Sequence, residues 1–593
     1  MLRKTIIASQ LALLFAITGC GGGSGGTTIE SQTNGGGETN ITTNNVGGND
    51  NGDVTTGGEN DLNIETSHSQ YRSIDGSGNN LDNPEMNAVH ARLRRITDVT
   101  YDDGVSAMPT GRPNPRTISE NIHAQGDRDI PSIAYASDML WQFAQLLDHD
   151  IGLTEGISSN ASEPVIVPAG DSHFAEGTIL PLSRALFDGS TGTGTENPRQ
   201  QENEITGWID ASFVYGSDET RAAALRTLDG TGKLKTSDGN LMPFNISNLP
   251  NANSTIDPTS LFLAGDVRAN EQPGLAAIHT IFMREHNRLA EIIAADNPSM
   301  SGEEIYQTAR ALVGAMVQRI VYKEFVPSLI GIHTLSEYRG YDASVDASMI
   351  NEFSHAGYRV GHTMLSPRIL RLDNEGNEIP EGHLGLFAAF FNIGTITQQG
   401  GVDPILRGLS NQISQNIDPF MVDDVRNMLF GNVEMGMDLA TLNIQRGRDH
   451  GLGTLNDVRE ALGLPRHESF ADISSDEDIR SALENSYVSV DDVDLFTGVL
   501  SEDIVYDALV GETNQALFKL QFEALRDGDY YFYLNQFRGE ENAEYRDMIR
   551  LTTLSKLITR NTDIEQDEIG HEAFFVGDEK FYYDLHHSDL GEL

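Results

Sequence analysis

Residues 141–155, WQFAQLLDHDIGLTE, combine apolar residues with a close group of polar and ionisable side chains. Gln145, Asp148, His149 and Asp150 lie within six residues, among leucines and an isoleucine at helical spacing. On a helix, Gln145 and His149 share a face, because residues four apart stack. Burying an imidazole, an amide and a carboxylate costs free energy, so the stretch predicts a helix with a functional face. Taken alone, it also fits a core histidine beside two solvated acids.

A second motif, ITGWIDASFVYGSD at 205–218, places polar side chains at every second residue. Oxygen ligands at alternate positions of an extended loop, with carboxylates among them, suit a hard cation such as calcium. A half-buried strand shows the same alternation, so both interpretations stay open. The alternating residues are Thr206, Trp208, Asp210 and Ser212.

A third motif, LFLAGDVRANEQPGL at 261–275, supplies Arg268 and Glu271 just before a predicted helix that carries His279 and His286. Charged residues in such a position usually belong to a solvated surface turn. The alternative is that they reach a site formed with the first motif.

The fourth constellation joins YRVGHTMLSP at 358–367 to TLNIQRGRDHG at 441–451. His362 follows a glycine, and Asn443 and Arg446 lie three apart on a predicted helix. A histidine that binds a metal usually donates its other ring N–H to an oxygen atom, which Asn443 could supply. A core histidine remains the competing interpretation.

The periodic segments of the chain indicate a mainly α protein with few short strands. The composition of an ordered domain continues from 67 to 593 without a second linker or repeat. A domain of this size exceeds the usual limit for one core, which favours construction around an internal ligand or metal. The predicted helices cover 134–152, 275–295, 302–328, 420–430, 453–463, 476–486 and 513–526.

The N-terminus indicates export. Residues 1–19 have the basic start, short apolar run and small final residues of a signal peptide, and they resemble a bacterial lipoprotein signal that ends before Cys20. By that resemblance the Cys20 thiol carries a lipid anchor. The protein would then be anchored at the outer membrane or cell surface, or be periplasmic or extracellular. Cys20 is the only cysteine, which excludes a disulfide framework. Residues 20–66 are rich in Gly, Ser, Thr and Asn and predict a disordered tether.

The formal net charge is −48, from 40 basic and 88 acidic side chains. Such an excess of negative charge argues against a nucleic-acid partner, because phosphate backbones bind basic surfaces.

The four constellations together resemble the animal-type haem peroxidases, the superfamily of myeloperoxidase, lactoperoxidase and peroxidasin. The resemblance spans nearly all of the ordered chain, and its motifs occur in the same order as in that family. It includes YRSIDGSGNNLDNP, DGVSAMP, QLLDHD, IDASFVYGSD, FLAGDVRANEQPGL, HTIFMREHNRLA, GHTMLSP, LNIQRGRDHG, VDDVDLFTGVLSE and LRDGDYYF. It implies a large, mainly α haem peroxidase domain.

The resemblance also implies a role for each candidate residue. His149 would be the distal histidine, Arg268 the distal arginine and Gln145 a distal amide that holds water or halide. His362 would be the axial ligand of the haem iron, and Asn443 would orient it.

The remaining roles concern the cofactors, which would be haem b and calcium. Arg446 and Arg359 would pair with the haem propionates, and Asp148 and Glu271 match the two acids that form esters with haem methyls in the vertebrate enzymes. The calcium ligands would be Asp150, Thr206, Trp208 through its carbonyl, Asp210 and Ser212.

The implied function is reduction of hydrogen peroxide to water through a ferryl intermediate, with a halide, thiocyanate or phenolic donor as the small reducing substrate. One departure is Gln272, which stands where myeloperoxidase has a methionine bonded to the haem vinyl group, so no sulfonium link is expected. A haem-dependent fatty-acid dioxygenase is one alternative, but it needs a tyrosine three residues before the axial histidine. That position is Arg359, next to Tyr358. A second alternative is a non-catalytic haem-binding adhesion lipoprotein.

Overall fold

Long helices form the framework of the chain in a computed structural model, which describes residues 70–154, 162–252, 256–427 and 437–577. The predicted leader and tether, 1–66, lie outside the described residues. In the described ranges, no helix is both long and apolar enough to span a membrane. The α-helices of the first half are α1 Pro115–Ile118, α2 Asp138–Ile151, α3 Ser212–Tyr215, α4 Glu219–Leu225, α5 Pro273–Asp296, α6 Gly302–Ile320, α7 Val326–Ile330, α8 Asn351–His355, α9 Leu386–Ala389 and α10 Gly394–Thr397.

Helices also dominate the second half, where they are mostly shorter. They are α11 Asp403–Asn411, α12 Asp423–Arg426, α13 Leu439–Asp449, α14 Leu455–Ala461, α15 Phe470–Ile473, α16 Glu477–Ser486, α17 Leu495–Ser501, α18 Glu512–Asp527, α19 Tyr533–Gln536, α20 Ala543–Arg550, α21 Leu554–Thr559 and α22 Gln566–Ile569. Short 3₁₀ helices cover Pro258–Ser260, Gly357–His362, Val490–Asp492 and Glu540–Asn542, and π-helical turns cover Ser119–His123 and Val321–Phe325.

Strand structure is limited to two short antiparallel pairs among the described residues. Strand β1, Val165–Ile166, pairs with β2, Ile179–Leu180, so that Val165 lies opposite Leu180. Strand β3, Arg368–Ile369, pairs with β4, Leu384–Gly385, so that Arg368 lies opposite Gly385. The predicted fold class, mainly α with few short strands, is therefore confirmed.

Helix α2 lies at the centre of the core. It packs against α5, α11, α3 and the 3₁₀ helix at 357–362, and only Gln145 among its residues is not buried. Phe143 on α2 contacts the rings of Phe325 and Phe574. Helix α2 is thereby fixed on several sides, and it can hold a functional face rigidly against the 3₁₀ helix.

Local sequence explains where the helix α5 begins. Gln272 is its N-cap, and its side-chain oxygen accepts a hydrogen bond from the backbone N–H of Gly274 at 2.6 Å. Pro273 occupies the first helical position, where its missing N–H costs nothing. The helix therefore starts immediately after the motif that carries Arg268 and Glu271.

Two of the predicted helices differ from the structure. The segment 420–430 is helical only at 423–426 in its described part, because Met421 is extended and its N–H donates to the carbonyl of His123 at 2.9 Å. The segment 302–328 is interrupted by the π-helical turn Val321–Phe325 before α7. The other predicted segments contain helices close to the expected ranges.

Candidate functional site

A cavity of about 850 Å³, part of it open to solvent, lies between α2 and the 3₁₀ helix at 357–362. Five of the candidate site residues line it: Gln145, Asp148, Glu271, Arg359 and His362. Most of the other walls are apolar, from Trp141, Ala144, Leu365, Leu386, Phe390, Phe391, Val425 and Leu439. The cavity therefore suits a mainly apolar ligand, with its polar contacts at a few points.

A second cavity of about 590 Å³ shares Asp148 and Arg359 with the first. It also brings in Asn443 and Arg446 from α13, together with His355. Arg446 donates to the carbonyl of Ser183 and to Asp449, each at 2.9 Å. Two arginines at this end of the site suit a ligand that carries carboxylates.

His362 ends the 3₁₀ helix, and the side-chain amide of Asn443 lies 2.8 Å from its Nδ1. Asn443 therefore lies beside the ring of His362, but it directs its amide nitrogen toward Nδ1 and not the oxygen that the sequence analysis expects. Burial, with the nearby Arg359, lowers the pKa of His362 to about 3. The imidazole is neutral at physiological pH, which is the form that binds metals.

His149 lies next to Asp148 on α2 but lines neither cavity, and it is fully buried. Both ring nitrogens lack a hydrogen-bond partner among the described residues. Nδ1 lies 3.4 Å from Oδ1 of Asp266. Burial, followed by the charge of Arg268, lowers the pKa of His149 well below its usual value, so the ring is neutral.

Arg268 is buried, so the interpretation of its motif as a solvated turn is wrong. Its Nε and Nη2 donate to the two carboxylate oxygens of Asp266, each at 2.9 Å, and Nη2 also donates to the carbonyl of Gly152. Its remaining nitrogen, Nη1, lies 3.7 Å from Asp148. The guanidinium is held from one side and has one nitrogen unbonded.

A cluster of amides lies beside Glu271. The Nε2 of Gln145 donates to Glu271 at 2.9 Å, and Gln272 donates to Gln145 at 3.1 Å and to Gln142. Glu271 is only 7% exposed, and burial raises the pKa of its carboxyl to about 8 in spite of the nearby Arg268. The carboxyl is therefore protonated at neutral pH and hydrogen-bonded rather than ion-paired.

The loop of the second motif is not a strand, so the strand interpretation is wrong. It turns at Ala211, whose φ is +63°, and then enters α3. Asp150 accepts hydrogen bonds from the hydroxyl of Ser212 at 3.0 Å and from the backbone N–H of Asp210 at 3.1 Å. Asp210 in turn accepts one from the hydroxyl of Thr206 at 3.0 Å.

Asp150 and Asp210 are two buried carboxylates that face each other across this loop. Burial raises the pKa of both, and for Asp150 the charge of Asp210 adds to the effect. No set of three or more His, Cys, Asp or Glu side chains suited to a metal occurs in the described ranges. A cation here would depend on these two carboxylates with hydroxyl and carbonyl oxygens, which are typical calcium ligands. The indole N–H of Trp208 donates to the carbonyls of Gly76 and Met86.

Three residues of the site were missed from the sequence: Asp266, His355 and Gln142. Asp266 lies inside the third motif, two residues before Arg268, and a short acid-to-arginine spacing in a loop could have suggested the ion pair. Nothing in the local sequence distinguishes His355 or Gln142, because their places in the site depend on the packing of α8 and α2.

Comparison with known proteins relates this site to one family. A family model described as "Animal haem peroxidase" matches residues 71–574. Peroxidase mlt-7 of Caenorhabditis elegans is 33% identical over 535 residues, which cover 86% of this chain and 71% of that protein. Human eosinophil peroxidase is 34% identical over 543 residues, which cover 84% of this chain and 75% of that protein.

Other relatives are much longer than the chain. The match to the mouse peroxidasin homolog, 33% identical over 557 residues, covers 84% of this chain but only 37% of that protein. Among solved structures, peroxidase A from Dictyostelium discoideum has a TM-score of 0.77 and 30% identity, covering 85% of this chain and 99% of the other. The fatty acid alpha-dioxygenase of Arabidopsis thaliana has a TM-score of 0.73 with 18% identity, covering 86% and 84%, a likeness of fold alone.

Proposed function

The chain belongs to the animal haem peroxidase family, and from this premise we propose that it reduces hydrogen peroxide to water with electrons from a halide, thiocyanate or phenolic donor. It is an oxidoreductase that acts on peroxide, with one large, mainly α peroxidase domain. One observation carries the proposal. His362, with Asn443 behind it, lines the same cavity as Gln145 and Asp148, which precede His149 on α2.

The residues present fit haem b. Apolar side chains cover most of the first cavity and suit the faces of a porphyrin, while Arg359 and Arg446 at the second cavity would pair with its propionates. His362 would hold the haem iron, and Asn443, with its amide turned so that the oxygen accepts from Nδ1–H, would fix the orientation of the ring. Haem, when bound, supplies an iron that takes two oxidising equivalents from peroxide and passes them to the donor.

The distal residues would handle the proton of peroxide. His149 is neutral, so it can accept a proton from the bound peroxide and return it to the departing oxygen. The unbonded Nη1 of Arg268 can stabilise the negative charge that develops as the O–O bond breaks. Gln145 would hold the water or halide near them. This role leaves one N–H of its amide for the ligand, since the other donates to Glu271.

Asp148 and Glu271 are the candidates for ester bonds to haem. Both line the first cavity, and Glu271 is protonated at neutral pH, as an uncharged carboxyl next to an apolar ligand should be. Extraction of the reconstituted protein with acidified solvent, before and after peroxide, tests for these bonds. Retention of haem by the protein after peroxide, and its loss in the double variant Asp148→Asn/Glu271→Gln, is the expected result.

Calcium would bind between Asp150 and Asp210, with Thr206, Ser212 and the carbonyl of Trp208 as the other ligands. A doubly charged ion would offset the burial that raises the pKa of both carboxyls and the charge of Asp210 that raises the pKa of Asp150 further. Because Asp150 follows His149, the ion would brace the distal end of α2. The anchor on Cys20 and export to the outer membrane, cell surface or periplasm belong to the same proposal.

The test is reconstitution of residues 67–593 with haem and calcium, followed by assays with hydrogen peroxide and bromide, iodide, thiocyanate or a phenol. Peroxide-dependent oxidation of at least one donor, lost in His362→Ala together with haem binding, is the expected result. Oxygen-dependent turnover of a fatty acid without peroxide would favour the dioxygenase instead. Stable haem binding without any turnover would favour the adhesion or haem-binding protein.

A further inference from the structure

Asp266 lies where two parts of the distal site meet. It follows Gly265, which touches α3 so closely that a Cβ there would lie 2.1 Å from the carbonyl oxygen of Ser212. The backbone N–H of Asp266 donates to the carbonyl of Phe213 at 3.2 Å. A glycine at 265 is therefore required, and the contact with α3 fixes the position of the carboxylate.

The carboxylate of Asp266 contacts both distal residues. It accepts two hydrogen bonds from the guanidinium of Arg268 and a third, at 2.8 Å, from the backbone N–H of the same residue. Its Oδ1 also lies 3.4 Å from Nδ1 of His149. The latter contact is longer than a good hydrogen bond, as is common for catalytic pairs in structures without substrate.

Charge also distinguishes this carboxylate. Asp266 is 4% exposed, and burial alone would raise its pKa, but the charge and the hydrogen bonds of Arg268 hold the pKa well below its usual range. It is thus an anion beside the neutral ring of His149. An anion favours the tautomer that carries its proton on the nearer nitrogen, Nδ1.

We propose that Asp266 is a positioning residue that sets the tautomer of His149 and the direction of Arg268 at once. With the proton on Nδ1 held toward Asp266, the lone pair of Nε2 is left to accept the proton of peroxide. The bidentate pair with Asp266 leaves Nη1 of Arg268 for the developing charge. This inference rests on the proposed function, because it assigns a role within the same site.

The competing explanation is that Asp266 only neutralises Arg268. Binding of cyanide to the ferric, haem-loaded protein tests for an effect on His149, because hydrogen cyanide must give its proton to a distal base as it binds. The association rate of cyanide therefore measures how well the distal base accepts a proton, and it requires no catalytic turnover. We expect Asp266→Asn to lower this rate by about 100-fold, near the lower limit for loss of a positioned general base.

A double-mutant comparison isolates the effect on His149. If Asp266 acts on the histidine, Asp266→Asn still lowers the cyanide rate in an Arg268→Ala background. If it acts only through Arg268, Asp266→Asn changes nothing in that background, and the inference is overturned. The matched control is Asp494→Asn, which neutralises another buried carboxylate bonded twice by an arginine, Arg448, away from both cavities. This control should keep the wild-type cyanide rate.

A second pair of variants covers the case in which Asp266→Asn does not fold. Asp266→Glu and Asp266→Gln add the same methylene group, but only Asp266→Glu keeps the charge. The inference requires a cyanide rate at least ten times higher in Asp266→Glu, and equal rates would overturn it. A wild-type protein that shows no haem spectrum, or none altered by cyanide, would instead remove the proposed function together with this inference.

Discussion

Asp266 and the pair Asp150–Asp210 are buried carboxylates on two sides of His149, but their charges are balanced in opposite ways. Asp266 forms a bidentate ion pair with Arg268 and has a lowered pKa. Asp150 and Asp210 receive hydrogen bonds from hydroxyl and N–H groups, face each other, and have raised pKa values. An ion pair supplies the counter-charge in the first region. In the second region Arg72 and Arg310 act on Asp210 but do not outweigh its burial, and the proposed calcium ion would supply the remaining counter-charge.

Because of this difference, the stability of the two regions should depend on different counter-charges. The region of Asp266 should depend on the side chain of Arg268, and its ion pair should not require calcium. The region of Asp150 should depend on calcium.

Removing the counter-charge of Asp266 should have the largest effect. Arg268→Ala leaves a buried carboxylate without its cation, so we expect the free energy of unfolding to fall by about 3–5 kcal/mol. Urea unfolding in saturating calcium measures this loss. The double variant Arg268→Ala/Asp266→Asn should recover part of it, because the buried charge is gone. A single variant as stable as the wild type would contradict this dependence on Arg268.

Calcium removal should affect only the other region. At free calcium 100-fold above its dissociation constant, binding contributes about 3 kcal/mol to stability, which a chelator removes. Asp266→Asn should retain this calcium dependence, and Asp150→Asn should lose it. An unfolding midpoint of the wild-type protein that does not respond to calcium would refute the proposed ion.

The smallest effect is expected at Glu271, which is buried without an ion pair and accepts a hydrogen bond from the neutral amide of Gln145. Its pKa in the folded chain, about 8, lies above its usual value of 4.5, so the folded chain binds more protons between these pH values. Its contribution to stability is complete below pH 4.5 and decreases as pH rises toward 8. From pH 6 to pH 8 we expect a loss of about 2 kcal/mol in the haem-free protein, which Glu271→Gln abolishes.

The control for this measurement is Glu285, a buried glutamate whose pKa is lowered. Burial alone would raise that pKa, but Arg288 and Arg560 outweigh it. Glu285→Gln should therefore destabilise the protein at neutral pH. If Glu271→Gln leaves the pH dependence of unfolding unchanged, its carboxyl is not protonated in the folded chain.

The sequence predicted one of these regions better than the other. The alternation in 205–218 includes Asp210 and Ser212, which contact Asp150, because residues of one loop lie close together in sequence. Asp266 was missed although its motif was noticed, because its contact with His149 joins residues more than one hundred positions apart. Its position depends on the packing of Gly265 against α3, which no local pattern records.

The helices show the same limit. Helices α2, α5 and α18 follow from apolar periodicity and length. Helix α11 was missed because its sequence, DPILRGLSN, is poor in helix-forming residues. It is held by packing: a Cβ on Gly408 would lie 1.9 Å from the carbonyl oxygen of Leu370, so that only glycine fits.

The most direct test of the account is stopped-flow mixing of the haem- and calcium-loaded domain with hydrogen peroxide, in the wild type and in His149→Ala. The account predicts a rapid change in the haem spectrum that reverses when a donor is added, and a rate about 10²–10⁴ times lower in the variant. A wild-type spectrum that peroxide leaves unchanged, or an equal rate in His149→Ala, would contradict it.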